Sequence, residues 1–568
     1  MDISYVPQAK LLKYFEGRTA NSLEFIFLVT GAFDHSLNQS LELIMNESVR
    51  VLKPGGILFF QGLPSEIPEL GVFFDKHLTF KYWISIESDK IEQAQIPSVH
   101  AAVLLFTKGK RRFNIKRVRL PHQICKACGR TLKDWGGKSH LMHPDGYVIS
   151  DVIKDIPIAN NYNQLSKPLF QLLIGMLDFS NANNNNQNEI INLPELKVTG
   201  MVSPEEGLTW RHQKVSDSIV QYTLPCFSQD NDISNNPETQ KGNASLDKSN
   251  LVNVIHQGDA ISILKQYPDE SVDLVFADPP YNLEKDYLVY DDEKSTQDYI
   301  NWCNNWLAEY VRILRPTGSL FVLNLPHWAM HHAAYLNQHL HFQNWIVWDA
   351  LSEPRGKVMP AHYALLYYTK SVNTFTFNYD AVSPVDARYY CLRASCIRKR
   401  KKNGEDEKFD LTDFWWDIHR IKHRRDRDYH PCQLPEILME RIIRLSTNPG
   451  DIIMDAFGGT GTTPLTALKL GRQFVAIDLD PNYVKIMNEK IEQINELGHL
   501  NRESVKRSPR SITKKALQLE LRRLTRDLGR LPSKKDVEEN SQYDLELYLD
   551  TFSTWGKALK AAKLEIRT

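Results

Sequence analysis

Val275-Phe-Ala-Asp278-Pro279-Pro280-Tyr281-Asn282 and Ile452-Ile-Met-Asp455-Ala-Phe457-Gly458-Gly459-Thr-Gly461-Thr462-Thr463 are the two stretches that decide the fold. Each opens on an apolar run of strand length. The first breaks into a proline turn, the second into glycines followed by a helical pattern. A glycine turn at a strand's carboxyl end lets backbone approach a ligand closely, because no Cβ intervenes. The loop lacks the Gly-Lys-Ser/Thr ending of a phosphate cradle, and Pro464 stands where a third Gly-x-G-x-x-G glycine would be. A ligand without a pyrophosphate fits better. Asp478 ends the next apolar run and can accept hydrogen bonds from ribose hydroxyls.

Working outward, strand and helix patterns alternate on both sides of these motifs, which indicates an α/β domain with a mostly parallel sheet. The chain also repeats itself. VRVLKPGGILFFQGLP, from Val49, matches VRILRPTGSLFVLNLP, from Val311, and the same offset of 262 residues aligns segments at His77 and His339, His100 and His362, and Asp155 and Asp417. One constant offset over four segments implies two copies of one fold. The first copy lacks the site: aligning the strands sets Thr30-Gly31-Ala32-Phe33 against Asp278-Pro279-Pro280-Tyr281, and no glycine loop follows.

The two motifs together resemble those of the amino-group DNA methyltransferases, which use S-adenosylmethionine to methylate adenine N6 or cytosine N4. Asp278-Pro-Pro-Tyr precedes the glycine loop by about 180 residues, the order of the permuted β subgroup. His256-Gln-Gly258-Asp259 looks like that subgroup's adenine-binding acidic position. His430-Pro-Cys-Gln-Leu-Pro435 is similar to its His-Pro-Thr-Gln-Lys-Pro segment, departing at Cys432 and Leu434. The resemblance covers roughly Leu251 to Leu497. It implies a class I (Rossmann-like) methyltransferase fold, present twice with the first copy degenerate. It also implies catalysis at Asp278, Pro279, Pro280 and Tyr281, and cofactor binding at Asp259, Asp455, Phe457, Gly458, Gly459, Gly461, Thr462 and Asp478. In such a site a carboxylate and a backbone carbonyl hold the two hydrogens of an exocyclic amine and aim its lone pair at the sulfonium methyl. Tyr281 offers a face for a flipped base. Asp278 favours adenine N6, because members acting on cytosine N4 more often carry serine there; cytosine N4 is the alternative. A reading from another class is a non-catalytic DNA-binding or assembly module.

The expected domains are a degenerate methyltransferase-like unit at 1–180, a partly Asn/Ser-rich linker at 181–250, the catalytic domain at 251–500 and a basic helical tail at 501–568. Target recognition is expected at 326–429, where Arg398-Lys-Arg-Lys-Lys402 and His423-Arg-Arg-Asp-Arg427 interleave with Trp415, Trp416, His419 and Tyr429. Cys125-x-x-Cys128 with His140-x-x-His143 suggests a structural zinc site, with the His spacing one short of the usual. Cys391 and Cys396 stand at the equivalent place in the second copy, without a His pair. The tail, with Leu528-Gly-Arg-Leu-Pro532 and Phe552-Ser-Thr-Trp555-Gly-Lys-Ala558-Leu, resembles the helical repeat associated with homing endonucleases, which is presumed to bind DNA.

Composition sets the frame for these motifs. The 568 residues carry 69 basic and 69 acidic side chains, so the net charge is zero, an average over unlike parts. No apolar run reaches membrane-span length, and the first residues lack a signal-peptide pattern. Seven cysteines do not suggest a disulfide framework. A cytoplasmic, nucleoid-associated protein is expected, with double-stranded DNA and a cognate restriction enzyme as partners and no membrane.

Overall fold

The computed structural model describes residues 2–5, 10–29, 38–92, 95–109, 119–132, 142–144, 146–148, 150–154, 167–175, 199–202, 251–283, 294–350, 362–391, 393–418, 433–498, 514–552, 554–562 and 564. Two compact units divide the chain, Met1–Ile491 and Glu492–Thr568. Among the described residues no helix is long and apolar enough to cross a membrane.

The first unit holds two large sheets. In chain order the first half contributes β1 (Asp2–Tyr5), α1 (Leu11–Glu16), β2 (Leu23–Val29), α2 (Asn38–Val51), β3 (Leu52–Gly62), α3 (Pro68–His77), β4 (Thr79–Glu92), β5 (Ser98–Thr107), the short pair β6 (Arg119–Leu120) and β7 (Tyr147–Val148), β8 (Val152–Ile153), α4 (Lys167–Gly175) and β9 (Thr199–Val202). Its sheet runs β1-β9-β2-β3-β5-β4-β8. The second half contributes β10 (Val254–Gln257), α5 (Ala260–Leu264), β11 (Val272–Ala277), α6 (Thr296–Ile313), β12 (Leu314–Asn324), α7 (Pro326–Leu336), β13 (His341–Asp349) and β14 (His362–Thr369). It continues with β15 (Val385–Asp386), α8 (Ala394–Asn403), β16 (Lys408–Phe409), β17 (Phe414–Trp415), α9 (Glu436–Ser446), β18 (Ile452–Asp455), α10 (Thr462–Lys469), β19 (Gln473–Asp478) and α11 (Pro481–Leu497). Its sheet runs β10-β19-β18-β11-β12-β14-β13-β17.

The two sheets share an internal register. Ile57 faces Thr107 across β3 and β5, and Ser319 faces Thr369 across β12 and β14, the same pair displaced by 262 positions. Both copies carry a register shift one turn into the next hairpin, between Phe80 and Tyr82 and between Phe342 and Asn344. Ser85 pairs Val152 as Val347 pairs Phe414. Gly56 and Gly318 correspond too, for one physical reason: a Cβ there would come within 3 Å of the leucine opening the same strand, Leu52 or Leu314. The strand β9 falls inside the segment expected to be linker and lies beside β2, the place that β18 takes beside β11. The linker expectation at 181–250 therefore fails for these four residues, which a short Thr-Gly-Met-Val run is too brief to announce. The sequence following β9, Ser203-Pro-Glu-Glu-Gly207, has no counterpart of the glycine loop and lies outside the described residues, as do Thr30 to Phe33.

The halves meet face to face through equivalent residues. Trp83 and Trp345 stack with centroids 3.8 Å apart and planes 1° from parallel. Buried His100 Nδ1 lies 3.1 Å from Asp413 Oδ2, and His362 Nδ1 lies 3.0 Å from Asp151 Oδ2. Each pair is the other displaced by the repeat. Such reciprocity is the signature of a two-fold interface, here made within one chain. Around it α3 packs on α7, and Asp75 receives His327 and His331 at 2.8 and 2.9 Å. One apolar core runs through both halves, from Leu11 and Phe15 to Val475 and Ile477.

The second unit is a small helical cluster, α12 (Lys514–Leu528), α13 (Lys534–Asn540), α14 (Leu545–Phe552) and α15 (Trp555–Ala561). Leu517, Leu521 and Leu524 recur on one face of α12 and bury against Val537, Tyr548, Phe552 and Ala558. A Ser533–Asp536 capping box starts α13.

Candidate active site

Three parallel neighbours, β11, β18 and β19, end at the same edge of the second sheet, with Phe276 paired to Asp455 and Asp455 to Ala476. The crevice beyond those carboxyl ends is lined by Asp278 to Tyr281, by Asp455 to Thr460, by Thr462 and by Asp478, with Asp259 at its rim. The cofactor and catalytic motifs, far apart in sequence, therefore form one cleft. Tyr310 of α6 fastens them together. Its buried hydroxyl donates to the Phe276 carbonyl at 2.8 Å and accepts the Ala456 N–H at 2.8 Å. Asp273 adds a second tie at the other end of the strands, accepting the Ile452 N–H at 2.9 Å.

The glycine loop is organised by two carboxylates. Asp455 accepts the Thr463 hydroxyl and the Phe457 N–H, the latter at 2.9 Å. Asp478 accepts the Gly459 and Asp480 N–H groups, each at 2.8 Å. Burial is the largest influence on both and pushes each up to about 6, against the stabilising N–H donors. Gly459 and Gly461 have φ of 53° and 87°. A Cβ on Gly461 would press on Met487 at 2.8 Å, and the residue does not line the crevice. The structure thus gives Gly461 a packing role under the loop, against Met487. Pro464 sits in the first turn of α10, where its missing N–H costs nothing.

The Asp-Pro-Pro-Tyr turn is clamped from behind. Tyr299 donates to the Pro280 carbonyl at 2.5 Å, and Trp328 Nε1 to the Tyr281 carbonyl at 2.8 Å. The Tyr281 hydroxyl donates to Asp278 Oδ1. The Tyr281 ring is only 4% exposed and lies against Tyr363 at 5.9 Å. In this arrangement it orients Asp278, and the open stacking face expected of it is covered. Asp259 caps α5 through the Ser262 N–H and hydroxyl, at 2.9 and 2.7 Å. Sequence reading missed Trp302, Leu434 and Tyr483, which also line the crevice. Trp302 stands edge-on to Phe457 at 5.7 Å. Its spacing with Trp306 on α6 was the available signal, but that pattern reads equally as core.

The stretch expected to recognise the target is split by the fold. Within 326–369 the described residues form α7, β13 and β14, elements of the sheet and of the interface between halves, while 351–361 lie outside the described residues. Trp415 is fully buried beneath Arg441 and cannot read a base. The excursion at 370–418 carries α8, on which Arg398, Lys399, Lys401 and Lys402 are exposed while Arg400 is buried. His419, His423 to Arg427, Tyr429 and His430 to Cys432 lie outside the described residues. At the expected metal site, the Cys125 sulfur lies 3.8 Å from that of Cys396, and the Cys128 sulfur 3.7 Å from that of Cys391. His143 is exposed, and His140 lies outside the described residues.

Residues 272–489 match a DNA methylase family, the N6/N4 methyltransferases. The Type II methyltransferase M.HpaI of Haemophilus parainfluenzae is 32% identical over 261 residues, 45% of this chain and 79% of that protein. The chain belongs to this family. The DNA adenine methyltransferase YhdJ of Escherichia coli (strain K12) is 33% identical over 239 residues, covering 41% of this chain and 80% of that one. M.BamHI of Bacillus amyloliquefaciens is 38% identical over 229 residues, 40% of this chain, which spans only 54% of that relative. Among solved structures, the cytosine-N4-specific PvuII DNA methyltransferase aligns over 44% of this chain and 89% of its own, with 18% identity and a TM-score of 0.33. Residues 512–565 match the homing endonuclease associated repeat.

The raised carboxyl at Asp478 has a measurable consequence. Its ionised form is the better acceptor for a ribose hydroxyl, so calorimetric affinity for S-adenosylmethionine should weaken as pH falls through about 6, and Asp478→Asn should bind more weakly with a flat profile. Stability runs the other way. A carboxyl held above its unfolded value favours the fold near pH 4 and loses that contribution as pH rises through about 6. A wild-type affinity unchanged across this range would remove Asp478 from the ligand's contacts.

Proposed function

We propose that the chain transfers a methyl group from S-adenosylmethionine to the exocyclic amino group of a base flipped out of double-stranded DNA, at adenine N6. The observation that carries this reading is the convergence of the Asp278 turn and the glycine loop in one crevice at the carboxyl end of the sheet. The crevice suits the cofactor's chemistry: Asp478 and Asp259 offer acceptors for ribose and adenine, the glycine backbone allows close approach, and Trp302 and Phe457 supply an apolar wall. When bound, S-adenosylmethionine supplies a sulfonium methyl, whose carbon–sulfur bond breaks as the carbon–nitrogen bond forms, leaving a neutral thioether.

The protein's part is positioning. Asp278 accepts one amine hydrogen, and we assign the other to the Pro279 carbonyl, since Tyr299 and Trp328 engage the carbonyls of Pro280 and Tyr281. Holding both hydrogens aims the nitrogen lone pair at the methyl carbon. The positive charge arriving on nitrogen is balanced by the Asp278 carboxylate, and the surplus amine proton leaves through it to water. Two carboxylate-and-carbonyl acceptors suffice, so no covalent nucleophile is required.

In this reading the first half is a methyltransferase-like copy without a site of its own. The shared strand order and register support it. It braces the working copy through the reciprocal Trp, His and Asp contacts. The protein would work on the chromosome in the cytoplasm, in a restriction–modification setting with an endonuclease of the same specificity, which the Type II names of its relatives favour. The exposed cations of α8 and the helical tail would contact phosphates.

Mass analysis of nucleosides from DNA incubated with labelled cofactor should find N6-methyladenine with the wild type and none with Asp278→Ala. N4-methylcytosine instead would move the target base, and equal incorporation by both proteins would leave only a DNA-binding role. Deleting residues 501–568 should weaken DNA affinity and shallow its salt dependence. The change should be smaller than the tail's raw charge suggests, because Arg523, Arg526 and Arg530 are already paired with Glu520, Asp527 and Asp536. An unchanged salt slope would remove the tail from the DNA interface.

A further inference from the structure

Cys125, Cys128, Cys391 and Cys396 bring four sulfurs within 4.8 Å of one another, two from each half of the chain. We propose that they bind one zinc ion, tetrahedrally, and that this ion fastens the first half to the α8 excursion of the second. The spacing is what a single metal requires. Four sulfurs around zinc at bonds of about 2.3 Å stand about 3.8 Å apart, and the two cross-half pairs measure 3.8 and 3.7 Å. Disulfides would need sulfurs at about 2 Å. An iron–sulfur cluster, holding several irons and bridging sulfides, would spread the four cysteines wider than this.

Hydrogen-bond donors stand beside two of the sulfurs. The Cys391 N–H points at Cys125 Sγ at 3.3 Å, and the Arg400 guanidinium at Cys396 Sγ at 3.7 Å. The Cys125–Cys128 turn needs Gly129, which has φ of 65°. Cys396 lies in the first turn of α8, at the positive end of the helix dipole. Binding of Zn²⁺ would release the four thiol protons to solvent and leave a site of net charge −2. Fully buried Arg400 lies beside it, with Nη1 3.7 Å from Cys396 Sγ and 3.1 Å from the Cys391 carbonyl. A guanidinium there offsets the dianion from within.

The local packing is too small to hold this junction by itself. Among the described residues its buried members are Ala387 and Tyr390 besides three of the four cysteines. Hydrogen bonds from Lys126 N to Tyr389 O and from Arg393 Nη1 to Thr131 O flank the sulfurs. A metal closing a connection between segments more than 250 residues apart in sequence supplies stability that so few side chains cannot. It sets where α8 and its four exposed cations stand relative to the first half.

Full-length protein from zinc-supplemented growth should carry close to one zinc per chain by elemental analysis. Replacing the metal with Co²⁺ should give the intense thiolate-to-cobalt absorption and tetrahedral visible bands of a four-sulfur site, a signature read on the wild type without any variant. Cys128→Ser and Cys391→Ser should each lose most of the zinc, whereas His143→Ala and Cys303→Ser retain it. Absence of metal in the wild type, stoichiometric iron in its place, or a zinc content that falls with His143→Ala and survives Cys391→Ser would each overturn the assignment.

Discussion

The side chain of Tyr310 spans the gap on which the active site depends. Its hydroxyl bridges the end of β11 to the start of the loop after β18, two segments that the chain visits about 180 residues apart. Parallel pairing of these strands brings Asp278 and the glycine loop to one edge. The bridge then fixes their relative height, which in-line methyl transfer needs to within a fraction of an ångström. A buried phenol satisfying both an orphan carbonyl and an orphan N–H is costly to replace, since each would otherwise pay a desolvation cost of about 1–3 kcal/mol. Tyr299, about three helical turns earlier on α6, holds the proline turn from behind. The helix α6 therefore acts as the spine of the site.

Around that spine the first half acts as a second body inside one chain. The stacked Trp83 and Trp345, with the crossed His–Asp pairs, form an interface in which each residue meets the counterpart of its own partner. Buried polar pairs of this kind contribute less to net stability than to fixing one arrangement. Here they would fix how the α7 helix, and hence the Trp328 contact with the catalytic turn, is presented.

Much of this was legible in the sequence because it rested on local grammar. The alternation of strand and helix gives the mixed sheets, and the Asp278 turn and the glycine loop line one crevice. What escaped depended on tertiary approach. Cys125 and Cys128 found sulfurs in the other half, and spacing along the chain could not disclose a partner so remote. Tyr310 and Trp302 read as an ordinary apolar helix face, since periodicity shows which side of a helix is buried and not what its hydroxyl or ring will meet. Trp415 looked available to a base among arginines, yet it occupies the edge strand of the core. The ring of Tyr281, open in the motif's logic, is buried, with Tyr363 tilted beside it. The segment Thr199–Val202 went unread because four residues carry no period.

One crevice per chain would do the chemistry, with the first half serving as its support. Calorimetric titration of full-length protein with S-adenosylmethionine counts those sites directly. One equivalent bound per 568-residue chain is the predicted result. Two equivalents would mean that the first half retains a site, and no saturable binding would contradict the reading of the crevice itself.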